Sequence, residues 1–321
     1  MKTNTDLKTI SETLFNAKTA LLFPHKNPDG DSVGACSALS LALRAEGVEC
    51  YVYADEVPKY LHFINREAFT KNWNKIPNPD VCVAVDCNEY ERLQERSVLF
   101  DAGKTKICID HHEHDTGFGD LYYIDPKAAA ACELVYEVLK YAGAKITRDI
   151  ANALYTGIVT DTGSFRYSNT RSESYQMAKE LFDTGVDHTK IMVNLYNNKD
   201  LKKVRCENKA IARVILFAEG KGAISYMTSG DMGSLDAHPQ HTDEIIDRLR
   251  DIDGVEMAAY LEEREDGIKV SMRSKTDSSV LEICQRNGGG GHVKSAGCTM
   301  HTTLENAFAI IKEEMEETLR K

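Results

Sequence analysis

Four stretches of this 321-residue sequence gather carboxylate and imidazole side chains at points where strands or helices should end. Hard oxygen donors and imidazoles from several segments are the ligands that divalent cations prefer. Two such ions held side by side promote the cleavage of phosphate esters, which is the chemistry that these residues suggest. In chain order, the four stretches contribute His25, Asp29, Asp31, Asp86, Asp110, His111, His112 and Asp161.

The first stretch is a loop that leads into a helix. Asp29 and Asp31 are two residues apart, and Gly30 between them lets the backbone turn sharply, so one loop can direct both carboxylates at adjacent cations. Taken alone, Asp-Gly-Asp is also a common helix N-cap and turn, and Asp31 or Ser32 is the expected N-cap here. His25 on the same loop favours the metal site.

The other three stretches strengthen this interpretation. Asp86 follows a valine-rich run, where a carboxylate is either an N-cap or a ligand. His111 and His112 are adjacent, so their side chains diverge and one can bind metal while the other faces a substrate. Asp161 falls three residues after Ile158, on the apolar face of its helix, and an inward carboxylate needs a partner such as a metal ion. The alternative for Asp161 is a solvated helix end.

Six other histidines lie outside such carboxylate-rich stretches and are given no role in the site. They are His62, His114, His188, His238, His241 and His301.

Strand and helix patterns alternate in the first half of the chain, which predicts a parallel sheet with helices on both faces. Ligands of such sheets bind beyond the carboxyl ends of the strands, so the stretches at His25, Asp86 and Asp110 should converge on one rim. The expected strands cover residues 20–23, 49–54, 81–85 and 106–110, and the expected helices cover 32–46, 127–141, 149–160 and 172–184.

The pattern changes in the second half. Residues 185–208 are polar and mixed, which suggests a linker that contains a helix. Two further strands around Glu265-Asp266-Gly267 form a hairpin in this interpretation. The sequence therefore predicts a first domain over 1–186, a linker over 187–209 and a second α/β domain over 210–321. Its expected strands are 214–218, 223–227, 255–261 and 268–273, and its expected helices are 243–250, 278–285 and 304–320.

Composition narrows the class of protein. Hydrophobic residues make up 42% and charged residues 28%, as in ordinary globular proteins. No apolar stretch is long enough to span a bilayer and no signal-peptide core is seen, so a cytoplasmic protein with no membrane partner is expected. The net charge of −11 disfavours a long nucleic-acid track, although bound cations can still attract a small anion. Nine cysteines without regular spacing are expected to be buried thiols.

The four stretches, in this order, resemble the signature motifs of the DHH phosphoesterase superfamily, which includes RecJ-type exonucleases and family II inorganic pyrophosphatases. Residues 288–297, Gly-Gly-Gly-Gly-His-Val-Lys-Ser-Ala-Gly, together with Met272-Arg273-Ser274, resemble the DHHA1 domain. Ser295 stands where that motif usually has alanine. Both domains in this order resemble the nanoRNase type. The resemblance implies an α/β fold with an N-terminal parallel-sheet DHH domain, a smaller C-terminal α/β DHHA1 domain and an active site in the cleft between them.

The resemblance also implies roles for individual residues. Asp86 would bridge two Mn²⁺ ions, His112 would contact the scissile phosphate or its leaving group, and Asp110 would orient a histidine. Mixed histidine and carboxylate ligands suit Mn²⁺ better than Mg²⁺, which stays the alternative with other divalent cations. The implied ligands are His25, Asp29, Asp31, Asp86, His111 and Asp161.

Substrate contacts are implied in the second domain. Arg273 and His292 would hold a phosphate, with Ser274 beside them. Arg166 is a further candidate for phosphate contact, against the alternative of a surface salt bridge. Glycines would allow backbone N–H groups to approach the phosphate, namely Gly289, Gly290 and Gly291.

The function implied by the resemblance is hydrolysis of short oligoribonucleotides and of 3′-phosphoadenosine 5′-phosphate (pAp), by a chain that the family suggests is a homodimer. A hydrolase for linear or cyclic dinucleotides shares the same metal centre and is the nearest alternative. Family II pyrophosphatase is less favoured because its second domain lacks the Gly-Gly-Gly-His stretch. A non-catalytic nucleotide- or RNA-binding protein would have no reason to retain all six ligands.

Overall fold

The computed structural model describes residues 3–54, 56–72, 74–87, 89–112, 117–275 and 278–320. The chain divides into two compact units, Met1–Asn198 and Lys199–Lys321. The boundary between them falls inside the predicted linker, where helices cover His188–Met192, Val193–Asn197 and the greater part of Leu201–Ile211.

The first unit is built on a parallel sheet with the strand order β3-β2-β1-β4-β5-β6 among the described residues. The parallel sheet and its four predicted strands are confirmed. Its strands are β1 (Thr19–Pro24), β2 (Glu49–Tyr53), β3 (Phe69–Thr70), β4 (Val81–Val85), β5 (Thr105–Asp110) and β6 (Leu121–Ile124). Its helices are α1 (Leu7–Phe15), α2 (Gly30–Ala45), α3 (Ser97–Asp101), α4 (Ala131–Tyr141), α5 (Arg148–Asp161), α6 (Ser172–Asp183) and α7 (His188–Met192).

Both faces of this sheet are covered, which explains why its central strands, β1 and β4, are almost wholly apolar. Leu22 of β1 lies in a core formed with α2, α4 and α5, while Leu21 and Phe23 point into a second core that includes Phe100 of α3. Successive side chains on a strand point to opposite faces, so a strand buried on both faces has no polar positions.

The strand order places a topological switch point between β1 and β4. From β1 the sheet grows through β2 and β3 on one side, and through β4, β5 and β6 on the other. Connections on the two sides leave the carboxyl ends of β1 and β4 in opposite directions, which opens a crevice there. His25 follows β1 directly and Asp86 follows β4 directly, so both lie at this crevice.

The prediction that Asp31 or Ser32 caps α2 is wrong, because the helix begins two residues earlier. Asp29 is the N-cap, and its Oδ1 accepts the Asp31 N–H at 3.1 Å and the Ser32 N–H at 3.0 Å. The shift places Asp31 in the first turn of the helix, where it is fully buried. Its carboxylate is therefore not used for capping its own helix.

Helix α4 begins four residues later than the predicted residue 127. Alanines favour helix, but the Ala129 N–H donates to the Glu133 side chain at 3.1 Å instead of entering the helix. Tertiary contacts override local propensity at this point.

The second unit contains a mixed sheet with the order β11-β12-β10-β9-β8-β7 in the described part of the chain. The predicted hairpin is confirmed as β9 and β10, whereas β11 and β12 were not anticipated in the glycine-rich stretch. The strands are β7 (Ile215–Phe217), β8 (Gly222–Met227), β9 (Met257–Arg264), β10 (Gly267–Ser274), β11 (Gly290–His292) and β12 (Ser295–Met300). The helices are α8 (Leu201–Ile211), α9 (Ser229–Ser234), α10 (Ile245–Arg250), α11 (Leu281–Arg286) and α12 (Leu304–Leu319).

All nine cysteines are free and buried, as expected for thiols that pack in the cores. Among the described residues, no helix combines the length and the apolar character that crossing a membrane would require.

Candidate metal centre

Two histidines at the rim of the first sheet are oriented by backbone carbonyl groups. His25 Nδ1 lies 2.7 Å from the Lys26 carbonyl oxygen, and His111 Nδ1 lies 3.2 Å from the Ala128 carbonyl oxygen. A carbonyl oxygen can only accept, so each Nδ1 carries a proton, and in the neutral imidazole each Nε2 offers its lone pair. Histidines that bind metal through Nε2 are oriented in this way.

The Asp86 carboxylate lies between these two histidines. Its Oδ2 is 3.7 Å from His25 Nε2, and its Oδ1 is 3.5 Å from His111 Nε2. Asp86 is buried, and its Oδ1 has no hydrogen-bond partner among the described residues. A buried carboxylate oxygen without a donor is costly unless a cation is present. One oxygen is directed at each histidine, so this carboxylate fits a site that would hold divalent cations.

The backbone of Asp86 is also unusual. Its φ of 57° is left-handed, and its N–H donates to the Ile109 carbonyl oxygen of β5 at 3.0 Å. Among residues other than glycine, aspartate and asparagine tolerate this conformation best. The turn after β4 thus directs the carboxylate back over the end of the sheet.

The described ligand atoms fall into three overlapping groups, in each of which all atoms lie within 4.8 Å of one another. Asp86 belongs to two of the groups, and His111 also belongs to two. The structure therefore brings together all six residues that the sequence suggested as ligands. The groups are Asp86, Asp110, His111 and His112; His25, Asp29 and Asp86; and Asp31, His111 and Asp161.

Asp31 has a second structural role that sequence reasoning missed. Its Oδ2 accepts the Ala131 N–H at 2.5 Å and its Oδ1 accepts the Cys132 N–H at 2.9 Å. These are the first two amides of α4, whose own N-cap residue, Ala130, provides no side-chain acceptor. Asp31 of α2 therefore caps α4. Its Oδ2 also lies 3.8 Å from His111 Nε2.

Glycines at the crossing of α2 and α5 bring Asp31 and Asp161 close together. A Cβ atom on Gly30 would lie 2.5 Å from the Thr160 side chain. A Cβ atom on Gly157 would lie 2.2 Å from Cys132 Sγ and 2.7 Å from Asp31 Oδ1. Only glycine fits at such close approaches. In the sequence, Gly30 and Gly34 lie four residues apart and therefore on one helix face. This spacing could have indicated the close contact.

The electrostatics of the site favour bound cations. Burial, with the nearby Asp161 carboxylate, raises the pKa of Asp31 to about 7. Burial also raises the pKa of Asp86 well above its ordinary range, and the carboxylates of Asp31 and Asp29 add to this shift. Carboxylates crowded in a dry site resist ionisation, and a divalent cation reverses that effect. The residues present therefore fit divalent metal ions.

His112 is held differently from the other two histidines. Its Nδ1 lies 2.7 Å from Asp110 Oδ1, which also accepts the backbone N–H groups of His111 and His112 at 2.6 and 3.1 Å. Asp110 is fully buried, whereas the His112 side chain is 31% exposed. Asp110 thus fixes the ring of His112 and leaves its Nε2 available to a ligand.

Arg166 lies in a strained turn directly after α5. Gly163, Ser164 and Phe165 all have positive φ values, of 54°, 60° and 62°, and Arg166 Nε donates to the Gly163 carbonyl oxygen at 2.6 Å. Two non-glycine residues in this region cost about 1–3 kcal/mol each, and such strain often occurs at functional sites. The structure shows no salt bridge for Arg166 among the described residues, and its phosphate contact stays a prediction.

In the second unit, Arg273 and His292 lie at the same level of the sheet. Ser295 of β12 is paired with Arg273 on one side and with His292 on the other. Directly paired residues project to the same face, so Arg273 and His292 share a face two strand spacings apart, about 10 Å. Arg273 Nε is 3.6 Å from Asp247 Oδ1, and His292 is exposed.

The glycines before His292 are partly explained by packing. A Cβ atom on Gly289 would lie 2.1 Å from the Gly297 carbonyl oxygen, and one on Gly291 would lie 2.5 Å from the Ser295 carbonyl oxygen. Gly290 meets nothing within 4 Å and is open on its side of the sheet. Ser274 is buried, and its hydroxyl has no hydrogen-bond partner among the described residues. Its contact with substrate stays a prediction.

Of the histidines without an assigned role, His114 lies outside the described residues. His62 contacts the Val57 carbonyl oxygen at 3.0 Å, and His188 contacts the Tyr155 hydroxyl at 3.1 Å. Both contacts belong to local packing rather than to the three ligand groups.

Comparison with known proteins agrees with this geometry. The DHH family N-terminal domain matches residues 19–158, and the DHHA1 domain matches residues 219–321. The chain is similar to the bifunctional oligoribonuclease and PAP phosphatase NrnA of Thermus thermophilus, with 32% identity over 299 residues, 92% of this chain and 89% of the relative.

Solved structures show the same fold. An exopolyphosphatase-related protein from Bacteroides fragilis superimposes with a TM-score of 0.91 at 23% identity, covering 98% of this chain and 97% of that one. The exonuclease RecJ bound to manganese gives a TM-score of 0.57 at 14% identity, covering 99% of this chain and 95% of that one. The order of the two matched domains and the likeness to NrnA along most of the chain place this protein in the DHH/DHHA1 phosphoesterase superfamily, among phosphoester hydrolases of the NrnA (nanoRNase) type.

Proposed function

We propose that this protein hydrolyses short oligoribonucleotides and pAp with two Mn²⁺ ions. The observation that carries the proposal is the position of Asp86, whose two carboxylate oxygens are directed at His25 on one side and at His111 on the other. The NrnA relative, by its name, acts on oligoribonucleotides and PAP. The RecJ exonuclease of similar fold was solved with manganese.

The proposed ligands divide around the bridging residue Asp86. His25 and Asp29 lie beside its Oδ2, whereas His111, with Asp31 and Asp161 next to it, lies beside its Oδ1. When bound, the two ions would supply an activated water and would balance charge on the phosphoryl oxygens.

The chain itself would position the phosphate. His112, fixed by Asp110, presents Nε2 to the scissile phosphate or to its leaving group in this proposal. Arg273 and His292, on one face of the second sheet, would hold a phosphate of the substrate. Arg166, Ser274, Gly289, Gly290 and Gly291 are the further proposed contacts.

The test of the proposed function is a comparison of substrates in Mn²⁺ and in chelator. A 5′-phosphorylated RNA dinucleotide and pAp should be cleaved, whereas a long single-stranded RNA and pyrophosphate should be spared. Faster cleavage of a cyclic dinucleotide than of the linear substrates would favour the alternative hydrolase. No turnover of any substrate by metal-loaded protein would contradict the proposal.

Replacement of Asp110 by asparagine should slow turnover without unfolding the protein. The asparagine side chain keeps the volume but loses the charge that fixes the His112 ring, and loss of such an orienting partner costs about 10–100-fold in activity. Steady-state kinetics on pAp would measure this loss in kcat, with circular dichroism as the check on folding. If the Asp110→Asn variant kept the wild-type kcat, Asp110 would have no part in the proposed mechanism.

Three further parts belong to this proposal. The catalytic and substrate-binding domains would cover 1–186 and 210–321, with a linker over 187–209. The protein would act in the cytoplasm and as a homodimer. Mg²⁺ is the alternative ion. Four of the proposed ligands are carboxylates, which suit Mg²⁺, and two are imidazoles, which favour Mn²⁺.

A further inference from the structure

One face of the second sheet carries a row of polar side chains along β10. Lys269, Ser271 and Arg273 alternate with the buried residues Val270 and Met272, so the three polar side chains project to the same face. The Cα atoms of Lys269 and Arg273 are four residues apart on the strand, about 13 Å. Two cationic side chains therefore stand at opposite ends of this row.

On the β12 side of Ser271 this face carries no side chains at the two neighbouring positions. Ser271 is paired with Gly297 of β12, which is paired in turn with Gly290 of β11. No heavy atom would lie within 4 Å of a Cβ atom on Gly290. Ser271, Gly297 and Gly290 thus form a shallow trough across three strands. Arg273 lies on one side of it and Lys269 on the other.

A cavity of about 230 Å³ opens along this row, between Lys269 and Arg273. This volume is several times the roughly 30 Å³ that one water occupies in the liquid, so the cavity has room for a phosphate group. It is enclosed by the segment before α10 and by side chains of β9 and β10, among them Thr242, Asp243, Glu262, Arg264, Lys269 and Ser271.

The acidic side chain paired with Lys269 on β9 is already engaged. Glu262 accepts from the Thr242 hydroxyl at 2.5 Å, from the Tyr260 hydroxyl at 3.3 Å and from Arg264 Nε at 2.7 Å. The side chain of Lys269, in contrast, forms no hydrogen bond or ion pair within the described ranges, although the residue is partly buried. Its ammonium group, the Ser271 hydroxyl and the remaining guanidinium N–H groups of Arg264 are available to an anion.

We propose that Lys269, Ser271 and Arg264 form a second phosphate subsite, which binds a phosphate group of the substrate other than the one held by Arg273. The proposal rests on the proposed function, and it adds that the preferred substrates carry at least two phosphates. A compact subsite of one lysine, one arginine and one hydroxyl suits a single phosphate group rather than an extended backbone.

The proposal can be tested by kinetics on paired substrates. The substrates are a dinucleotide with a 5′-phosphate and the same dinucleotide without it, and the variant is Lys269→Gln. Loss of one charge-assisted contact should raise KM for the phosphorylated substrate about tenfold. KM for the other substrate should change less than twofold, and kcat should stay the same for both.

Two more variants sharpen the test. Ser271→Asp places a negative charge in the trough and should raise KM for the phosphorylated substrate further. Lys221→Gln removes one lysine charge from the same unit at an exposed side chain that pairs with Glu256, and it should alter neither KM. Equal effects of Lys269→Gln on both substrates, or no effect on either, would overturn the subsite.

Failure of the proposed function would be recognised separately, because the wild-type protein would then cleave neither dinucleotide. Calorimetric titration in the presence of chelator would still decide about the subsite. Wild-type protein should bind adenosine 3′,5′-bisphosphate more tightly than AMP, and Lys269→Gln should remove most of that difference. Equal affinity of the wild-type protein for both nucleotides would contradict the proposal.

Discussion

Replacement of Asp86 by asparagine should abolish most turnover, by more than about a hundredfold, while the protein stays folded. The amide is neutral and has a single acceptor oxygen, so it cannot bridge two cations. Asparagine tolerates the left-handed φ of 57° at this position, whereas alanine would add backbone strain. Initial rates on pAp in saturating Mn²⁺ would measure the loss.

Thermal unfolding distinguishes the loss of metal from the loss of fold. Burial raises the pKa of Asp86, so its charged form opposes folding at neutral pH when no cation is bound. Metal-free Asp86→Asn should therefore be at least as stable as metal-free wild type. At 100 times its Kd, each bound Mn²⁺ ion should stabilise wild type by about 2.7 kcal/mol, and Mn²⁺ should stabilise the variant much less.

A matched control for this experiment is Asp183→Asn. Asp183 is exposed on α6 and pairs with Lys179 at 2.7 Å, so its loss should change neither activity nor Tm appreciably. Full turnover by Asp86→Asn would show that the assignment of two ions to this site is wrong.

Gly157→Ala should weaken both folding and metal binding, although alanine favours helix by about 1 kcal/mol over glycine. The new methyl group would lie 2.2 Å from Cys132 Sγ and 2.7 Å from Asp31 Oδ1, both in a buried region. Overpacking of this kind costs about 1–3 kcal/mol. It would also displace a proposed ligand, so we expect the affinity for Mn²⁺ to fall about tenfold.

Differential scanning calorimetry with and without Mn²⁺, and titration of free Mn²⁺ by electron paramagnetic resonance, would measure these effects. Gly233→Ala is the control, because Gly233 lies in α9 and nothing lies within 4 Å of its added Cβ. The control should keep the wild-type affinity for Mn²⁺ and should be more stable than wild type by up to about 1 kcal/mol, because alanine favours helix. If Gly157→Ala bound Mn²⁺ as wild type does, the close contact with Asp31 would not govern the site.

Four strands of the first unit, β1, β2, β4 and β5, could be predicted from the sequence because each is a short, mostly apolar run, whereas the short edge strands β3 and β6 were missed. The residues His25, Asp86 and Asp110 stand at the ends of three of these runs, and parallel strands bring their ends to one edge. The local pattern is therefore sufficient to bring these three side chains together. The hairpin of the second unit could also be predicted, since Glu265, Asp266 and Gly267 separate an apolar run from an alternating one.

Other features depend on contacts between distant segments. The cap of α2 was misplaced because Asp29, Asp31 and Ser32 are all good caps, and only the packed structure selects Asp29. The start of α4 is set by Asp31, which lies 100 residues earlier in the sequence. Strands β11 and β12 escaped notice because glycines hide the alternation that marks a strand. No local pattern encodes such choices.

The double role of Asp31 affects how related sequences should be interpreted. Asp31 accepts the first two amides of α4, so a relative that had lost catalysis would still need a carboxylate there to keep that helix start. Asp86 has no comparable structural duty, since one of its oxygens is buried without a donor and its backbone is left-handed. Selection for stability alone would therefore discard Asp86 and retain Asp31. In an uncharacterised relative, an aspartate at the position of Asp86 is the more informative sign of a working enzyme.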